Sequence, residues 1–580
     1  MLKNDARLFG LAAALAFGAY VWLYLPRFAA GAGWGDDYAL HFPNLLAGCY
    51  WHARNGPLAI PWFSPAQCGG VPFLGDLNVA YYALPQWLSL AAGPIPAVQA
   101  TFLAFAAAGG AGTFVLLRSR FRLEAGPAAA GAVLFLFSTF YTARMVAGHL
   151  TFHPFTLVPW LAWIALGPAG PWRTTLARAA ACALAFAYMF EAGMVHGILP
   201  ALLAVAIMVL VHGQLYGAQA RPWIVLSLAA LLALALGAQR LAASLAFLAQ
   251  FPRADYALPG FPALADAAGF ALQALFWRPP LLGISASLAN QQWDMEVHEL
   301  AFGVGPAALA AILAGAFAAA RRGRLPGAAA GWGLVVLLLA LPLALNWHLE
   351  PWNALLKRLP LFGSSSSLLR WYAAYIPVAV LLAALALQGF RRDPVRRAAA
   401  LAVIAATAGW NFLADDMRYI SASYDPRPIQ AAWERLGRDG VPAVERIVVR
   451  KDASGQPSGE VDRNDALAVG GSQALCYQPM FGYRLERLPG GPLREGPALG
   501  EAAPGFLNVR NPACFAYPAA NACSPGGLFP VAARAQAERF LRYEAFEPVL
   551  PPWQRAATAA SLLALAICLG LIASARRRSR

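Results

Sequence analysis

The sequence predicts an all-α polytopic membrane protein with about twelve transmembrane helices and a small mixed α/β domain near its C-terminus. Three observations carry this. Fifty-nine per cent of the 580 residues are hydrophobic and only 13 per cent are charged, too little charge to cover a soluble surface. Apolar runs such as Leu8 to Pro26, Ala97 to Leu117 and Gly327 to Leu345 approach the length that crosses a hydrocarbon core of about 30 Å. Short basic clusters punctuate these runs at alternate ends, the pattern of cytoplasmic anchors.

The expected helices cover residues 8–26, 97–117, 126–143, 154–167, 177–193, 197–212, 223–247, 301–320, 327–346, 371–390, 398–414 and 556–575. The first follows Lys3 and Arg7 as a signal peptide would. It is long for a signal core, and the charge alternation works only if it is retained. With the N-terminus inside, every second crossing lands on basic residues: Arg118, Arg120 and Arg122; Arg173 and Arg178; Arg221; Arg321, Arg322 and Arg324; Arg391, Arg392, Arg396 and Arg397. The tail ends Arg576-Arg577-Arg578-Ser579-Arg580. Both termini are therefore expected in the cytoplasm. The same placement argues against nucleic acid as partner of the net charge of +15, because the basic clusters cap hydrophobic spans and form no nucleic-acid-binding motif.

This register divides the chain into a membrane module over 1–414, an extracytoplasmic domain over 415–551, and a final span with a basic cytoplasmic tail over 552–580. Two external loops, 27–96 and 248–300, interrupt the module. A Val444 to Val449 run between Gly- and Pro-rich turns reads as a strand and marks the third external stretch as a domain of its own. Cys49 and Cys68 share the first loop, and Cys476, Cys514 and Cys523 share the last domain. One bridge in each is expected from an oxidising exterior, with simple burial the alternative.

Acids concentrate outside. Before the C-terminal region only Asp5, Glu124 and Asp393 fall inside, whereas Asp36, Asp37, Asp76, Asp255, Asp266, Asp294, Glu296, Glu299 and Glu350 fall outside. Asp36 and Asp37 stand about ten residues beyond the first helix, at the level where a lipid-borne substrate presents its head group. A carboxylate there can take a proton from a hydroxyl or hold a divalent cation against a phosphate. The alternative is a plain Asx turn after Gly35. His149 and His153 lie where the third helix meets the fourth, as phosphate or acceptor contacts or as satisfied interfacial histidines. Asp294, Glu296, His298 and Glu299 form the densest titratable cluster, either metal ligands or a solvated loop, with Glu299 abutting a helix. Glu191 ends a helix and would line a cavity.

The first loop carries Asp37 and His41, then Gly69-Gly70, then Tyr81-Tyr82 and Pro85. Further along come Gly148-His149, Gln239 and Arg253, Glu299 with Phe302-Gly303-Val304-Gly305, Leu359-Pro360-Leu361-Phe362 before Arg370, Gly482-Tyr483 and Leu507-Asn508-Val509-Arg510. In this order they resemble the YfhO family, within the GT-C superfamily of polyprenyl-phosphate-sugar glycosyltransferases. His41 stands where that family has Gln, and the Pro and Glu often seen between Gln239 and Arg253 are absent. The resemblance implies a GT-C-like fold in the bacterial inner membrane and an inverting sugar transfer on the periplasmic side. The donor would be a polyprenyl-phosphate sugar, and the acceptor a cell-envelope glycan, lipid or protein. Asp37 would be the general base, with Asp36 as neighbour or alternative, and Asp76 would orient the acceptor or support a cation. Arg240, Arg370 and Arg253 are the candidate phosphate contacts, since a guanidinium forks onto phosphate; snorkelling to membrane lipid is the other reading of Arg240 and Arg370. His41, His149, His153 and Glu299 would touch substrate. No cofactor is demanded, and a divalent cation, magnesium or manganese, stays open. The rivals are a transporter or flippase of lipid-linked saccharides, a ligase or polymerase, and a non-catalytic envelope assembly protein.

Overall fold

Ala- and Leu-rich runs without charge become helices because a helix satisfies every backbone N–H and C=O within the segment, which lipid cannot do. The computed structural model describes residues 2–29, 33–252, 256–278, 288–289, 295–321, 327–359, 362–363, 365–414, 422–458, 461, 463–482, 485–489, 491, 493–546 and 548–576. Each apolar segment expected from the sequence is helical. Among the described residues, seven helices are long and apolar enough to cross a membrane: Asp5–Phe28, Pro94–Ser119, Ala125–Ala147, Ile198–Tyr216, Leu369–Gln388, Asp393–Ala414 and Pro552–Ala575. The pair Arg221–Leu236 and Ala238–Gln250, bent by 64°, makes an eighth if taken as one span. Leu150–Ala165, Pro306–Ala320 and Ala329–Leu345 are apolar but shorter.

Several boundaries moved for identifiable reasons. The third expected helix breaks at Ser138, whose backbone is extended. The Thr139 amide, freed by the break, donates to the Gly303 carbonyl at 2.8 Å, and the Gly303 amide donates to Thr139 Oγ1 at 2.7 Å. Irregular backbone at membrane depth is thus satisfied by protein, and the segment after Glu299 is locked to the third helix. The fourth expected helix opens as a 3-10 turn over Leu150–Leu157 containing Pro154, which lacks the N–H a helix interior needs. The eighth begins only at Pro306. The external stretch 248–300 holds an apolar helix of its own, Leu264–Phe276.

At one end of the bundle the three acids assigned inside all find arginines. Arg396 reaches Glu124 at 2.6 Å and Asp393 at 2.5 Å, and Arg397 reaches Asp5 at 2.6 Å. At the other end the first loop and the C-terminal region come together. The expected strand appears as Arg446–Val448, flanked in parallel by Gly471–Gln473 and antiparallel by Gly496–Pro497. Glu501–Ala503, Phe506–Arg510 and Leu528–Pro530 form an antiparallel meander.

The C-terminal region is joined to the first loop by backbone and side-chain contacts. Trp34 and Gly35 pair with Tyr424 and Ser423 in a two-stranded ladder. The Arg510 guanidinium donates to the Cys68 carbonyl at 3.1 Å. The cysteine expectation changes too: Cys68 bonds Cys476 across the two regions, Cys514 bonds Cys523, and Cys49 stays free and buried.

Candidate active site

Aromatic packing places Asp36 and Asp37. Phe28, Trp34, Tyr38 and Phe42 are buried and meet in near-perpendicular pairs, with Trp34 5.4 Å from Phe28 and 5.1 Å from both Tyr38 and Phe42. Edge-to-face contacts of this kind add to the burial energy of each ring. The Tyr38 hydroxyl donates to the Met145 carbonyl at 2.6 Å, which draws the start of the Tyr38–Asn55 helix against the end of Thr139–Ala147. Gly148 allows that approach. Its φ is +112°, and a Cβ there would lie 2.5 Å from the Tyr38 nitrogen, so the position needs glycine both for its backbone and for its lack of a side chain.

The Asp37 carboxylate is held by two regions far apart in the chain. Oδ2 lies 2.6 Å from Nε2 of His149, and Oδ1 accepts from the Tyr477 hydroxyl at 2.8 Å. These contacts replace the Asx turn as the account of Asp37. Nδ1 of His149 lies 3.0 Å from the Arg144 guanidinium. Arginine can only donate, so Nδ1 accepts and the ring proton sits on Nε2, aimed at Asp37. Arg144, wholly buried, also donates to Glu299 at 2.9 Å. Arg370 grips both oxygens of Glu299, and Arg144 and Arg370 stack on the Phe152 ring at 4.7 and 5.4 Å. His298 packs against His149 with ring centroids 4.5 Å apart, and its Nδ1 lies 3.0 Å from Glu296. Asp36 pairs with Arg463 at 2.8 Å.

Charge is sorted within this cluster. Burial would raise the Asp37 carboxyl, but His149, His298 and Tyr477 outweigh it and hold Asp37 well below the usual carboxylate range. His149 is pushed down by burial, which agrees with its accepting from Arg144, so the pair is a carboxylate and a neutral imidazole. Burial and the neighbouring Asp37 charge push Asp36 up. Glu299 resists burial because Arg144 and Arg370 hold it well below its ordinary value. His298 moves upward: burial opposes its charge, but the hydrogen bond to Glu296 and the charge of Glu299 prevail.

No protein-family model, curated protein or solved structure matches this chain. The site is therefore read from its own chemistry.

Asp37, Asp36, His149, Glu299 and Arg370 converge, and buried His41 lies close enough to feel the charge of Asp37. Two expectations give way to structural roles. Arg240 is 2 per cent exposed, and its guanidinium donates to the carbonyls of Asp76 at 2.7 Å and Glu191 at 2.6 Å, and to that of Val79. Its place as a phosphate clamp is thus taken by backbone acceptors, and Glu191 lies beside it at 3.4 Å. His153 is wholly buried between the Leu150 carbonyl at 2.7 Å and the Tyr188 hydroxyl at 2.8 Å. Asp76 is buried with its carboxylate on Gln478 Nε2, at 2.6 Å, and its own loop amide at Asn78, at 2.8 Å. It joins the site only through the backbone, since Gln478 follows Tyr477. Arg253 and Asp294 lie outside the described residues.

Arg144, Arg463 and Tyr477 belong to the site without having been singled out for it, and Glu296 and His298, read from sequence as metal ligands or a solvated loop, join it as well. Arg144 had a signal: a charged residue in an otherwise apolar span is a functional candidate. Nothing local marks Tyr477 or Arg463, whose partners lie some four hundred residues away.

Donor atoms of Asp37, His149 and His298 all lie within 4.8 Å of one another, which raises the question of a cation. Two imidazoles and one carboxylate do not suit magnesium, which takes oxygen ligands. A metal on Nε2 of His149 would require Nδ1 to donate outward, yet Nδ1 faces Arg144, which has no acceptor. Glu299 is already committed to two arginines. The arrangement reads as a hydrogen-bonded ion cluster and does not suit magnesium.

Proposed function

We propose that the chain is an inverting glycosyltransferase of the GT-C type, similar to the YfhO family, that moves a sugar from a polyprenyl-phosphate donor to an acceptor hydroxyl. In this reading it crosses the bacterial inner membrane about twelve times, with both termini cytoplasmic and the site facing the periplasm. The seven long helices and the bent pair would be joined by Leu150–Ala165, Trp172–Glu191, Pro306–Ala320 and Ala329–Leu345. The acceptor would be an envelope glycan, lipid or protein.

The observation that carries the reading is the Asp37 carboxylate, held ionised just beyond the first helix, in a cluster with Arg144 and Arg370. The acceptor hydroxyl gives its proton to Asp37 as its oxygen attacks the anomeric carbon, and the bond from that carbon to the phosphate oxygen breaks. Each carboxylate oxygen retains a lone pair beyond its bond to His149 or Tyr477. Arg144 and Arg370 both bind the carboxylate of Glu299, which gathers positive charge near Asp37, where a lipid phosphate would depart. Arg144 falls in the last turn of its helix, at an end of the span. A transporter would want its charges at mid-membrane, so this placement favours an enzyme.

The test is transfer of labelled hexose from a polyprenyl-phosphate hexose by the full chain in lipid nanodiscs. Asp37→Asn should reduce transfer at least about 100-fold while the protein keeps its thermal stability. Undiminished transfer would remove Asp37 as the base.

A further inference from the structure

We infer that Asn464 is a positioning residue for the transfer, whose side chain clamps the backbone of Tyr477 and so sets the hydroxyl that holds the Asp37 carboxylate. This rests on the glycosyl-transfer reading and extends it to what fixes the base in place.

Three consecutive residues of the C-terminal region grip the surroundings of the two acids. Asn464 is 1 per cent exposed. Its Nδ2 donates to the Tyr477 carbonyl at 2.9 Å, and its Oδ1 accepts from the Tyr477 amide at 3.0 Å. A carbonyl only accepts and an amide N–H only donates, so the two bonds fix which way the side chain lies. The guanidinium of Arg463 stacks on the Tyr477 ring at 4.5 Å and pairs with Asp36. Asp465 accepts from the Tyr424 hydroxyl at 2.6 Å, and Tyr424 pairs its backbone with Trp34, two residues before Asp36. Arg463 has a left-handed backbone, φ +44°, a conformation that a side chain keeps only where its surroundings over-determine it. Here they are Asp36, the Tyr477 ring and the neighbouring Asn464 clamp.

Position matters because a hydrogen bond weakens steeply as its angle closes, and a catalytic group misplaced by about 1 Å can lose ~100-fold in rate. Burial and the Asp37 charge keep the Tyr477 phenol protonated, so its hydroxyl serves Asp37 as a donor. With its backbone released, the ring is free to turn about its two side-chain bonds and the hydroxyl leaves Oδ1. The bridge at Cys476 and the bond from Gln478 to Asp76 fix the residues on either side of Tyr477, but neither touches its own N–H or C=O. Asn464 supplies partners to both. If Tyr477 did no work on Asp37, the clamp would serve stability alone, and measurement separates the two roles.

The experiment measures transfer from a polyprenyl-phosphate hexose by the full chain in nanodiscs, comparing wild type, Asn464→Ser, Tyr477→Phe and the double variant. Asn464→Ser should lower kcat about 10-fold and leave the donor KM within about twofold. In the Tyr477→Phe background the same substitution should lower kcat by less than about twofold further, because residues acting through one contact are not additive. Infrared difference spectra against Asp37→Asn isolate the carboxylate bands of Asp37, and Asn464→Ser should reproduce the band shift that Tyr477→Phe produces. Asn464→Asp, which keeps the bond from the Tyr477 amide, should fall between wild type and Asn464→Ser and serves if that variant does not fold. An undiminished kcat, an equal loss in the Tyr477→Phe background, or unmoved Asp37 bands would make Asn464 a structural residue and overturn the inference. A wild-type protein inert toward the donor would instead remove the glycosyl-transfer reading, and the infrared bands would still decide the clamp.

Discussion

Nε2 of His149 lies 2.6 Å from Oδ2 of Asp37, and the other ring nitrogen of His149 lies 3.0 Å from Arg144. The three residues form one line of hydrogen bonds in which Arg144, a donor only, dictates which nitrogen of His149 carries the proton. Arg144→Gln breaks that line and leaves the largely buried Glu299 with one arginine in place of two. Removing one partner of a buried ion pair costs about 3–5 kcal/mol. Thermal unfolding of the detergent-solubilised variant should show a drop of several degrees, and an unchanged midpoint would contradict the pairing.

Tyr477 reaches Asp37 from the C-terminal region, giving its hydroxyl proton to Oδ1 at 2.8 Å. A hydrogen bond to a charged group contributes about 1.5–3 kcal/mol. Tyr477→Phe should therefore raise the Asp37 pKa and move the acid limb of the pH–activity profile upward, with little change in the alkaline limb. A displaced alkaline limb with a fixed acid limb would show that Tyr477 acts elsewhere.

Cys476, Tyr477 and Gln478 are consecutive, and they hold Cys68, Asp37 and Asp76 respectively. Reduction of the Cys68–Cys476 bridge should loosen this strip from the first loop. Peptide mapping under non-reducing conditions should recover residues 68 and 476 in one cross-linked species. Cys68→Ser should lower the unfolding midpoint and also weaken sugar transfer, whereas a cross-link between Cys49 and Cys68 would refute the connectivity.

His41 is buried without charge, and burial pushes its imidazole down to about 4. The unfolded chain would bind a proton there near pH 6.5, so between those values the unfolded state holds more protons and stability rises with pH. The stabilisation is complete above pH 6.5 and is lost as the pH falls toward 4, an effect of about 1–3 kcal/mol. His41→Gln should flatten that acid decline in unfolding midpoint. An unaltered decline would assign it to other groups.

Much of the fold was legible because hydropathy is a local property. Every expected apolar segment is helical, and the strand expected near Val444 is present at Arg446–Val448. Lengths were harder to read. One helix ends early at Ser138 because Gly303 offers the amide of Thr139 a partner, and that partner comes from a segment more than one hundred and fifty residues away. The contacts of the C-terminal region with the first loop were illegible for the same reason. Its Gly- and Pro-rich turns announce a folded unit, but nothing in them says that Arg510 will bind the carbonyl of Cys68.

For the site itself, the sequence alone determined that Asp36 and Asp37 follow a long apolar helix and that His149 and Glu299 stand at the margins of others. Those placements depend only on where apolar runs stop. Tertiary structure alone decided which of these groups meet. It turned Arg240 to backbone carbonyls and Arg370 to Glu299, and it drew His298 out of an apparently solvated loop to face His149. Burial explains the difference. A charge taken out of water must find partners, and the partners on offer are set by how distant helices pack, as when Gly148 lets Asp37 approach to within reach of His149.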